Sequence, residues 1–325
     1  MILRHIVALS LLLSSVFGAG SCFEFFPDSY RIVDGHPAYG VAKNRFVSFR
    51  CPRGKKIVAE DRFKGLCLFE SPLRRPFHLI DPEGPLHFCP SKTPLYVDID
   101  AYPFAIYPGR LKKSPGREGA LFGECCELAG IVERDGGWFD AASIRRLLRG
   151  DTRHGDIGAR FTRNGRSWRV SEVDPFVKTP LRPGDRVLAI GRHRSPSFRQ
   201  IAEAIDGCRP GKTVALTLLR KERKISLHPE CFERRGGGKL SDTFLERFGL
   251  WFDKNLAVVR IDEKGSGFKR GFRVGDRLLR IDSSDVRSEA DVRRVLTGYS
   301  LRRSLPERLL LERDGFQFFL PLPSL

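Results

Sequence analysis

Several signatures of metal binding and membrane insertion are missing from this chain. Its 8 cysteines include no Cys-x-x-Cys pair, so zinc and redox motifs of that kind are not indicated. The His-Glu-x-x-His pattern of zinc peptidases does not occur either. Beyond residue 20, no apolar run is long enough for a membrane-spanning helix. We therefore expect no metal, no cofactor and no transmembrane span.

Acidic residues are outnumbered by basic ones. The chain has 57 Lys and Arg against 39 Asp and Glu, which gives a formal net charge of +18. Such a charge is compatible with nucleic-acid binding, but the basic residues are scattered through every segment and no nucleic-acid motif occurs. We expect no nucleic-acid partner; anionic envelope surfaces or acidic peptide tails fit the charge better.

The first residues have the pattern of an export signal. A short polar start at Arg4 and His5 precedes the apolar run 6–13, and small residues follow. This pattern predicts a signal peptide over residues 1–19 and an exported, periplasmic protein. A lipid anchor through Cys22 is the alternative. In an oxidising compartment the cysteines should form disulfides, and Cys208 and Cys231 are placed to join the last strands of one domain.

The C-terminal half of the chain contains an internal repeat. Shifted by 91 residues, the sequence places Gly249 on Gly158 and Phe252 on Phe161 without a gap. The same shift superimposes the Gly-Asp pair 275–276 on 184–185, and the apolar helix positions that follow also match. We call the segments the first and second copy, and a repeat of this length predicts two similar folding units.

Each copy has the pattern of a small β-rich unit with one helix. In the second copy, two strands precede the turn at Gly275-Asp276, and a third strand follows it. Val292, Val295 and Leu296 have helical spacing in a helix that begins near Glu289 and is expected to end at Gly298. Two further strands complete the unit. The pattern predicts a partly open β-barrel with a helix covering its gap.

Both copies resemble PDZ domains of the bacterial kind attached to HtrA/DegP-type proteases. In the second copy the resemblance rests on residues 248–250, on 267–281 and on the helix from Glu289. In the first copy it rests on residues 157–159, 180–190 and 198–205, although Asn164-Gly165-Arg166 forms a polar turn where an apolar strand might be expected. Together the copies resemble a periplasmic tandem-PDZ protein that lacks the protease domain.

The resemblance implies peptide recognition. In such domains, backbone N–H groups of a glycine-containing loop hold the carboxylate of a partner's C-terminus, while its last residues extend a sheet by β-augmentation. We expect protein C-termini or extended peptides as partners, among them envelope proteins or a separate protease. The expected binding residues are Arg247, Phe248, Gly249, Leu250, Phe252, Arg293 and Leu296 in the second copy and Ile157, Gly158 and Ala159 in the first. Asp156, which replaces Arg247 in the first copy, should repel a carboxylate.

The fold class expected for the whole chain is mainly β (α+β). The predicted domains are the signal peptide 1–19, a β-rich N-terminal domain 20–117, a first PDZ-like domain 118–233 with a lead-in hairpin and helix, a linker 234–239 and a second PDZ-like domain 240–325. The linker Arg-Arg-Gly-Gly-Gly-Lys should be flexible.

Two other functions compete with a non-catalytic adaptor. The first is an envelope hydrolase with its active site in the N-terminal domain, using His36 or His78. The serine protease pattern Gly-x-Ser-Gly-Gly does not occur, so we expect no enzyme activity. The second is a structural role in which the chain fills its own grooves, with the apolar segment 318–325 as the expected occupant of the first copy's groove.

Overall fold

The computed structural model describes residues 27–89, 95–124, 126–302 and 304–322. The predicted signal peptide and Cys22 lie outside these residues. The chain divides into two compact units, with unit 1 ending at Thr152 and unit 2 beginning at Arg153. The prediction of a mainly β fold is confirmed, because strands dominate both units. No helix within the described ranges is both long and apolar enough to cross a membrane.

The first sheet of unit 1 is built from successive antiparallel hairpins. Its strand order is β1-β2-β3-β5-β4. A disulfide between Cys51 and Cys67 ties the segment after β3 to β5. The strands are β1 (Tyr30–Val33), β2 (His36–Ala42), β3 (Arg45–Ser48), β4 (Ile57–Asp61) and β5 (Leu66–Glu70).

The second sheet of unit 1 crosses the boundary expected at residue 117. Its order is β7-β6-β10-β11-β12-β9-β8, so strands on both sides of that position pair with one another. Residues 118–152 therefore fold with the N-terminal unit rather than leading into the first copy. The elements are β6 (His87–Cys89), β7 (Leu95–Tyr96), β8 (Ile99–Ala101), β9 (Gly109–Leu111), β10 (Gly119–Phe122), β11 (Leu128–Val132), β12 (Gly137–Asp140) and helix α1 (Ala141–Leu148).

One apolar core joins the two sheets of unit 1. Tyr39 and Leu68 of the first sheet, Phe122 and Phe139 of the second and Ile144 of α1 are buried in the same cluster. Asp140 caps α1 by accepting a hydrogen bond from the backbone N–H of Ser143 at 2.9 Å. The burial of large side chains from both sheets explains why the two sheets form a single unit.

The first copy, residues 153–233, contains a sheet of order β14-β15-β16-β18-β19, in which β17 also pairs with β16. The predicted link between Cys208 and Cys231 is present as a disulfide. The elements are β13 (Gly155–Asp156), β14 (Ala159–Asn164), β15 (Ser167–Val173), β16 (Arg186–Ile190), β17 (His193–Arg194), α2 (Phe198–Asp206), β18 (Leu216–Arg220), β19 (Arg223–Leu227) and β20 (Phe232–Glu233).

The second copy, described here over residues 240–302 and 304–322, has a similar element order with shorter first strands. Its helix α4 begins at Glu289 as expected but continues past Gly298 to Arg302. The helix continues because Tyr299 still packs on the core and its hydroxyl donates a hydrogen bond to Asp282. The elements are β21 (Leu250–Phe252), β22 (Val258–Ile261), α3 (Ser266–Lys269), β23 (Arg277–Ile281), β24 (Ser284–Asp285), α4 (Glu289–Arg302), β25 (Arg308–Arg313) and β26 (Phe316–Pro321).

Candidate functional site

The loop that precedes β14 contains Gly158, one of the binding residues predicted for the first copy. Gly158 has a φ of +69°, and a Cβ atom there would lie 2.4 Å from Val177 Cγ2. Its N–H donates to Asp156 Oδ1 at 2.9 Å, and its carbonyl accepts from the N–H of Asp174 at 2.9 Å. Ile157 and Ala159 are buried on either side. Glycine is therefore required at this position, both for the left-handed backbone and for the close approach of Val177.

The negative charge of Asp156 is neutralised inside the fold. The Arg160 guanidinium lies 3.1 Å from both carboxylate oxygens, and its other nitrogens reach Asp242 of the segment before β21 at 2.6 Å. Burial alone would raise the pKa of Asp156, but Arg160, Arg234 and Arg247 outweigh it and hold that pKa well below its ordinary value. The repulsion of a peptide carboxylate expected from Asp156 is therefore weakened by its partners.

Strand β14 has an unpaired edge. Within the described residues it pairs only with β15, through a hairpin closed by Asn164 and Ser167. Cross-strand pairs alternate between hydrogen-bonded and non-hydrogen-bonded, and a pair that closes a two-residue turn is hydrogen-bonded. The next pair, Arg163 with Trp168, is therefore non-hydrogen-bonded, and the N–H and C=O of Arg163 point away from β15. Those of Phe161 do the same.

Helix α2 lies close to the glycine loop of the first copy. A Cβ atom on Gly155 would come within 2.1 Å of the Ile205 carbonyl oxygen and 2.5 Å of the Cys208 carbonyl oxygen, so the C-terminal end of α2 touches β13. Ile201 and Ile205 of α2 are buried in the same cluster as Ile157. In the first copy the glycine loop and the apolar residues of α2 are thus buried in one core, next to the start of β14.

In the second copy, the predicted binding residues lie inside the protein. Phe248, Leu250, Phe252 and Leu296 are all buried in one apolar cluster. Phe248 ends a short 3-10 helix (Leu245–Phe248), so it belongs to a helical turn rather than to an open loop. Residues 157–159 of the first copy are buried as well, and the two glycine loops differ in their surroundings instead.

Two backbone amides near the second glycine already have partners. The N–H of Gly249 donates to the Glu246 carbonyl oxygen at 3.0 Å, and the N–H of Phe252 donates to Ser241 Oγ at 3.0 Å. Gly249 itself has a φ of +78°, so the backbone conformation of the two glycines is alike although their surroundings differ. The amide of Phe252, which strand addition would use, is engaged by the chain itself.

The segment 241–244 lies between β21 and helix α4. Ser241 bonds the strand, as described, while the N–H of Asp242 donates to Glu289 Oε2 on α4 at 3.0 Å. Arg293, predicted to face the groove, donates instead to the carbonyl oxygen of Asp242. Phe244 is buried in the cluster of the second copy. This self-contact occupies the position in which we expected a foreign peptide.

Residues of the first copy also contact the second copy around Phe248 and helix α4. The ring of Phe176 packs edge-on against Phe248 with centroids 4.8 Å apart. The N–H of Val173 donates to Thr297 Oγ1 on α4 at 3.0 Å. Arg247, predicted to attract a carboxylate ligand, is instead bonded to the buried carboxylate of Asp174. The first copy thus supplies both an apolar ring and a carboxylate to the second.

Glu246 holds the 241–244 segment in place. Its carboxylate accepts hydrogen bonds from Ser241 Oγ at 2.6 Å, from Thr243 Oγ1 at 2.8 Å and from the Thr243 N–H at 3.0 Å. Burial raises the pKa of Glu246 to about 7, and the nearby charge of Asp242 adds to this. Sequence reasoning missed this residue, although its place three positions after Thr243 matches the spacing of a capping box.

A comparison with protein-family models finds a match within unit 2. Residues 155–228 match the family model of the PDZ domain. The first copy is thus similar in sequence to the PDZ domain. The resemblance to PDZ-containing HtrA/DegP-type proteins is thereby confirmed, and the match falls on the first copy, whose sequence pattern is the less regular of the two.

Two curated relatives are both named as probable periplasmic serine endoproteases, DegP-like. The protein of Halomonas elongata is 26% identical over 174 residues, which is 47% of this chain and 36% of that protein. The protein of Bartonella henselae is 25% identical over 135 residues, or 36% of this chain and 27% of that protein. This chain thus spans about a third of the length of the relatives it matches.

Solved structures share the fold. The HtrA-type protease AlgW with tripeptide aligns with a TM-score of 0.51 at 14% identity, covering 67% of this chain and 97% of that one. A variant of the same protease, also with tripeptide, gives a TM-score of 0.50 at 13% identity with the same coverage. At such identities the likeness concerns the fold alone.

The histidines considered for catalysis lie in unit 1. His36 Nδ1 is 2.9 Å from Glu118 Oε2, and no Ser, Thr or Cys side chain of the described residues bonds this imidazole. His78 is exposed. Unit 1 also contains a polar contact that the sequence did not indicate. The buried ammonium of Lys64 donates to Ser143 Oγ at 3.2 Å, and Asp61 Oδ2 lies 3.9 Å from the same nitrogen.

Proposed function

We propose that this chain is an exported, non-catalytic adaptor that captures protein C-termini or extended peptides through the groove of its first copy. The observation that carries the proposal is the unpaired edge of β14 beside the Gly158 loop, within the segment that matches the PDZ family. The second copy supports the first in this proposal and does not itself offer an open groove.

The proposed binding mode is strand addition. An extended peptide placed beside β14 would accept hydrogen bonds from the outward N–H groups of Phe161 and Arg163 and donate to their carbonyl groups. Its C-terminal carboxylate would lie at the Ile157–Ala159 loop. Because Ala159 is small, the terminal side chain would be apolar and would pack toward Ile157 and α2.

Two observations support export to the periplasm. The first 19 residues have the composition of a signal peptide, and the named relatives are described as periplasmic. We propose a periplasmic protein, with a lipid anchor at Cys22 as the alternative form. A separate protease or another envelope protein is the proposed partner, because the relatives are named as periplasmic endoproteases.

Strand addition can be tested with a pair of variants at one position. Arg163→Pro removes the outward N–H without breaking a ladder bond, because that amide points away from β15. Arg163→Ala removes the same side chain and keeps the amide. Against a peptide selected from a library displayed with free C-termini, we expect the proline variant to bind at least tenfold more weakly and the alanine variant to bind within threefold of wild type.

Two outcomes would refute the proposed mode. One is equal affinity of both variants, measured by calorimetry or fluorescence anisotropy. The other is unchanged affinity when the peptide carboxylate is amidated, which would remove the role of the Gly158 loop.

The proposal that the protein is not an enzyme has its own test. Purified protein should not hydrolyse casein, and hydrolysis that disappears in His36→Ala would favour the enzyme alternative.

A further inference from the structure

A row of cations crosses the outer face of the first copy's sheet. Arg169 of β15 lies directly opposite Arg186 of β16. The same row continues to Thr162 of β14 on one side and, through Leu219 of β18, to Lys224 of β19 on the other. Residues directly opposite in antiparallel strands have Cβ atoms about 5 Å apart on one face. The two arginine side chains therefore start from neighbouring positions on the same face.

This face is the one that turns away from the core. Successive residues of a strand point to opposite faces, and the neighbours Val170, Val187 and Leu218 are buried in the apolar cluster of the first copy. Arg169 and Arg186 are half-buried, while Thr162 and Lys224 are exposed. The row is thus distinct from the proposed peptide site, which uses the edge of β14.

The two arginines have no counter-charge. Neither forms an ion pair or a hydrogen bond with any residue in the described part of the chain, and the Nε of each is shielded from solvent without a partner. By contrast, Arg220 on the neighbouring strand is paired with the buried Asp185 at 2.7 Å. Like charges directly opposite in a sheet repel each other, and a shielded N–H donor without an acceptor costs further free energy.

We propose that Arg169 and Arg186 form a binding site for a phosphate group. A carboxylate has only two oxygens to share between two guanidinium forks, whereas a phosphate has more oxygens and can meet each fork with a separate pair of acceptor positions. Lys224 lies on the same row beyond Leu219 and adds positive charge to this face. One phosphate would supply the missing acceptors and remove the repulsion between the two cations.

The test titrates inorganic phosphate into the full chain. The binding is followed through the Nε–Hε signals of Arg169 and Arg186 in ¹H–¹⁵N spectra. We expect saturable shifts of both signals. Arg186→Gln should bind phosphate at least tenfold more weakly, and Arg186→Lys, which keeps the charge but loses the fork, at least threefold more weakly. Arg209→Gln, an exposed arginine of the same copy outside the row, is the matched control and should bind like wild type.

A stability readout accompanies the spectra. Without phosphate, Arg169→Gln should melt at or above the wild-type temperature, because one of two repelling charges is removed. With phosphate, wild type should gain thermal stability and this variant should gain little. Vesicles of phosphatidylglycerol against phosphatidylcholine identify the source: cosedimentation that depends on Arg169 assigns a lipid phosphate, and binding of free phosphate alone assigns a soluble one.

Either source supports the phosphate site. Equal shifts with chloride at matched ionic strength would overturn it, because the row would then respond to screening only. Unchanged phosphate affinity in both Arg186 variants would overturn it as well.

Discussion

The two copies in unit 2 share a glycine loop with positive φ, yet they use the neighbouring strand differently. In the first copy, β14 and β15 form a hairpin of six- and seven-residue strands, and the outer edge of β14 is unpaired within the described residues. In the second, β21 has three residues, and the amide of Phe252 is bonded to Ser241 of the preceding segment. The longer hairpin of the first copy leaves the edge of β14 free, whereas the short strand β21 of the second copy is covered by the segment 241–244.

The comparison also separates two uses of arginine. Arg160 of the first copy neutralises Asp156 beside the glycine loop, which leaves that loop without an uncompensated charge. Arg247 of the second copy forms an ion pair with Asp174 of the first copy, so it is not available to a ligand. In the proposed function the first copy provides the groove and the second copy an interface, and the following predictions probe that division from the largest effect to the smallest.

The largest effect is expected from breaking the Arg247–Asp174 pair. Arg247→Met leaves the carboxylate of Asp174, whose side chain is 1% exposed, without its cation. Removing one partner of a buried pair costs about 3–5 kcal/mol. Urea unfolding should show a loss of this size, and hydrogen exchange at the Phe252 amide should accelerate as the contacts around segment 241–244 loosen.

The double variant Arg247→Met with Asp174→Leu is the control for this prediction. It removes both charges and should recover most of the lost stability, because no buried charge is left unpaired. If Arg247→Met shifts the unfolding free energy by less than about 1 kcal/mol, the pair does not hold the two copies together.

The next effect concerns pH. Burial raises the pKa of Glu246 to about 7 from an ordinary value of 4.5. The protonated form is therefore the one that the fold prefers: the contribution of Glu246 to stability is fully present below pH 4.5 and is lost as the pH rises through 7. The loss amounts to at most about 3 kcal/mol.

Glu246→Gln should flatten this part of the stability profile, since the amide does not titrate. Unfolding free energies of both proteins at pH values from 4.5 to 7.5 check it. The pKa values of Asp156 and Asp242 are lowered, so their contributions are lost only in more acidic solution and do not disturb this window. Parallel profiles of wild type and variant would show that Glu246 is not the group involved.

The smallest effect on stability comes from the two loop glycines. Gly158→Ala and Gly249→Ala each place a Cβ in a left-handed backbone and within 2.4 or 2.8 Å of a neighbouring carbon atom. Each should cost about 1–2 kcal/mol. Only Gly158→Ala should also weaken peptide binding, measured by anisotropy with folding checked by circular dichroism. A matching loss of affinity in Gly249→Ala would place peptide in the second copy.

Local patterns predicted much of unit 2. The Gly-Asp pairs 184–185 and 275–276 come before strands β16 and β23, the helix of the second copy begins at Glu289, and Cys208 pairs with Cys231. Each of these features depends on turn chemistry, helix spacing or a short chain separation. Such features are encoded by neighbours in sequence and can be read without knowledge of the tertiary contacts.

The closed state of the second copy could not be predicted in the same way. It depends on contacts between residues far apart in sequence, such as Val173 with Thr297 and Asp174 with Arg247. The polar turn at Asn164–Arg166 weakens the sequence resemblance of the first copy, yet it closes the long hairpin that leaves β14 free. The second sheet of unit 1 has strands on both sides of residue 117 and could not be predicted either, because the turn-rich segment there joins strands of one sheet.

A peptide titration followed residue by residue tests the central claim most directly. In ¹H–¹⁵N spectra of the full chain, a selected peptide with a free C-terminus should first shift the amides of Ala159, Phe161 and Arg163 and leave that of Phe252 unchanged. If the amides of Leu250, Phe252 and helix α4 respond first while β14 stays silent, the assignment of the open groove to the first copy is contradicted.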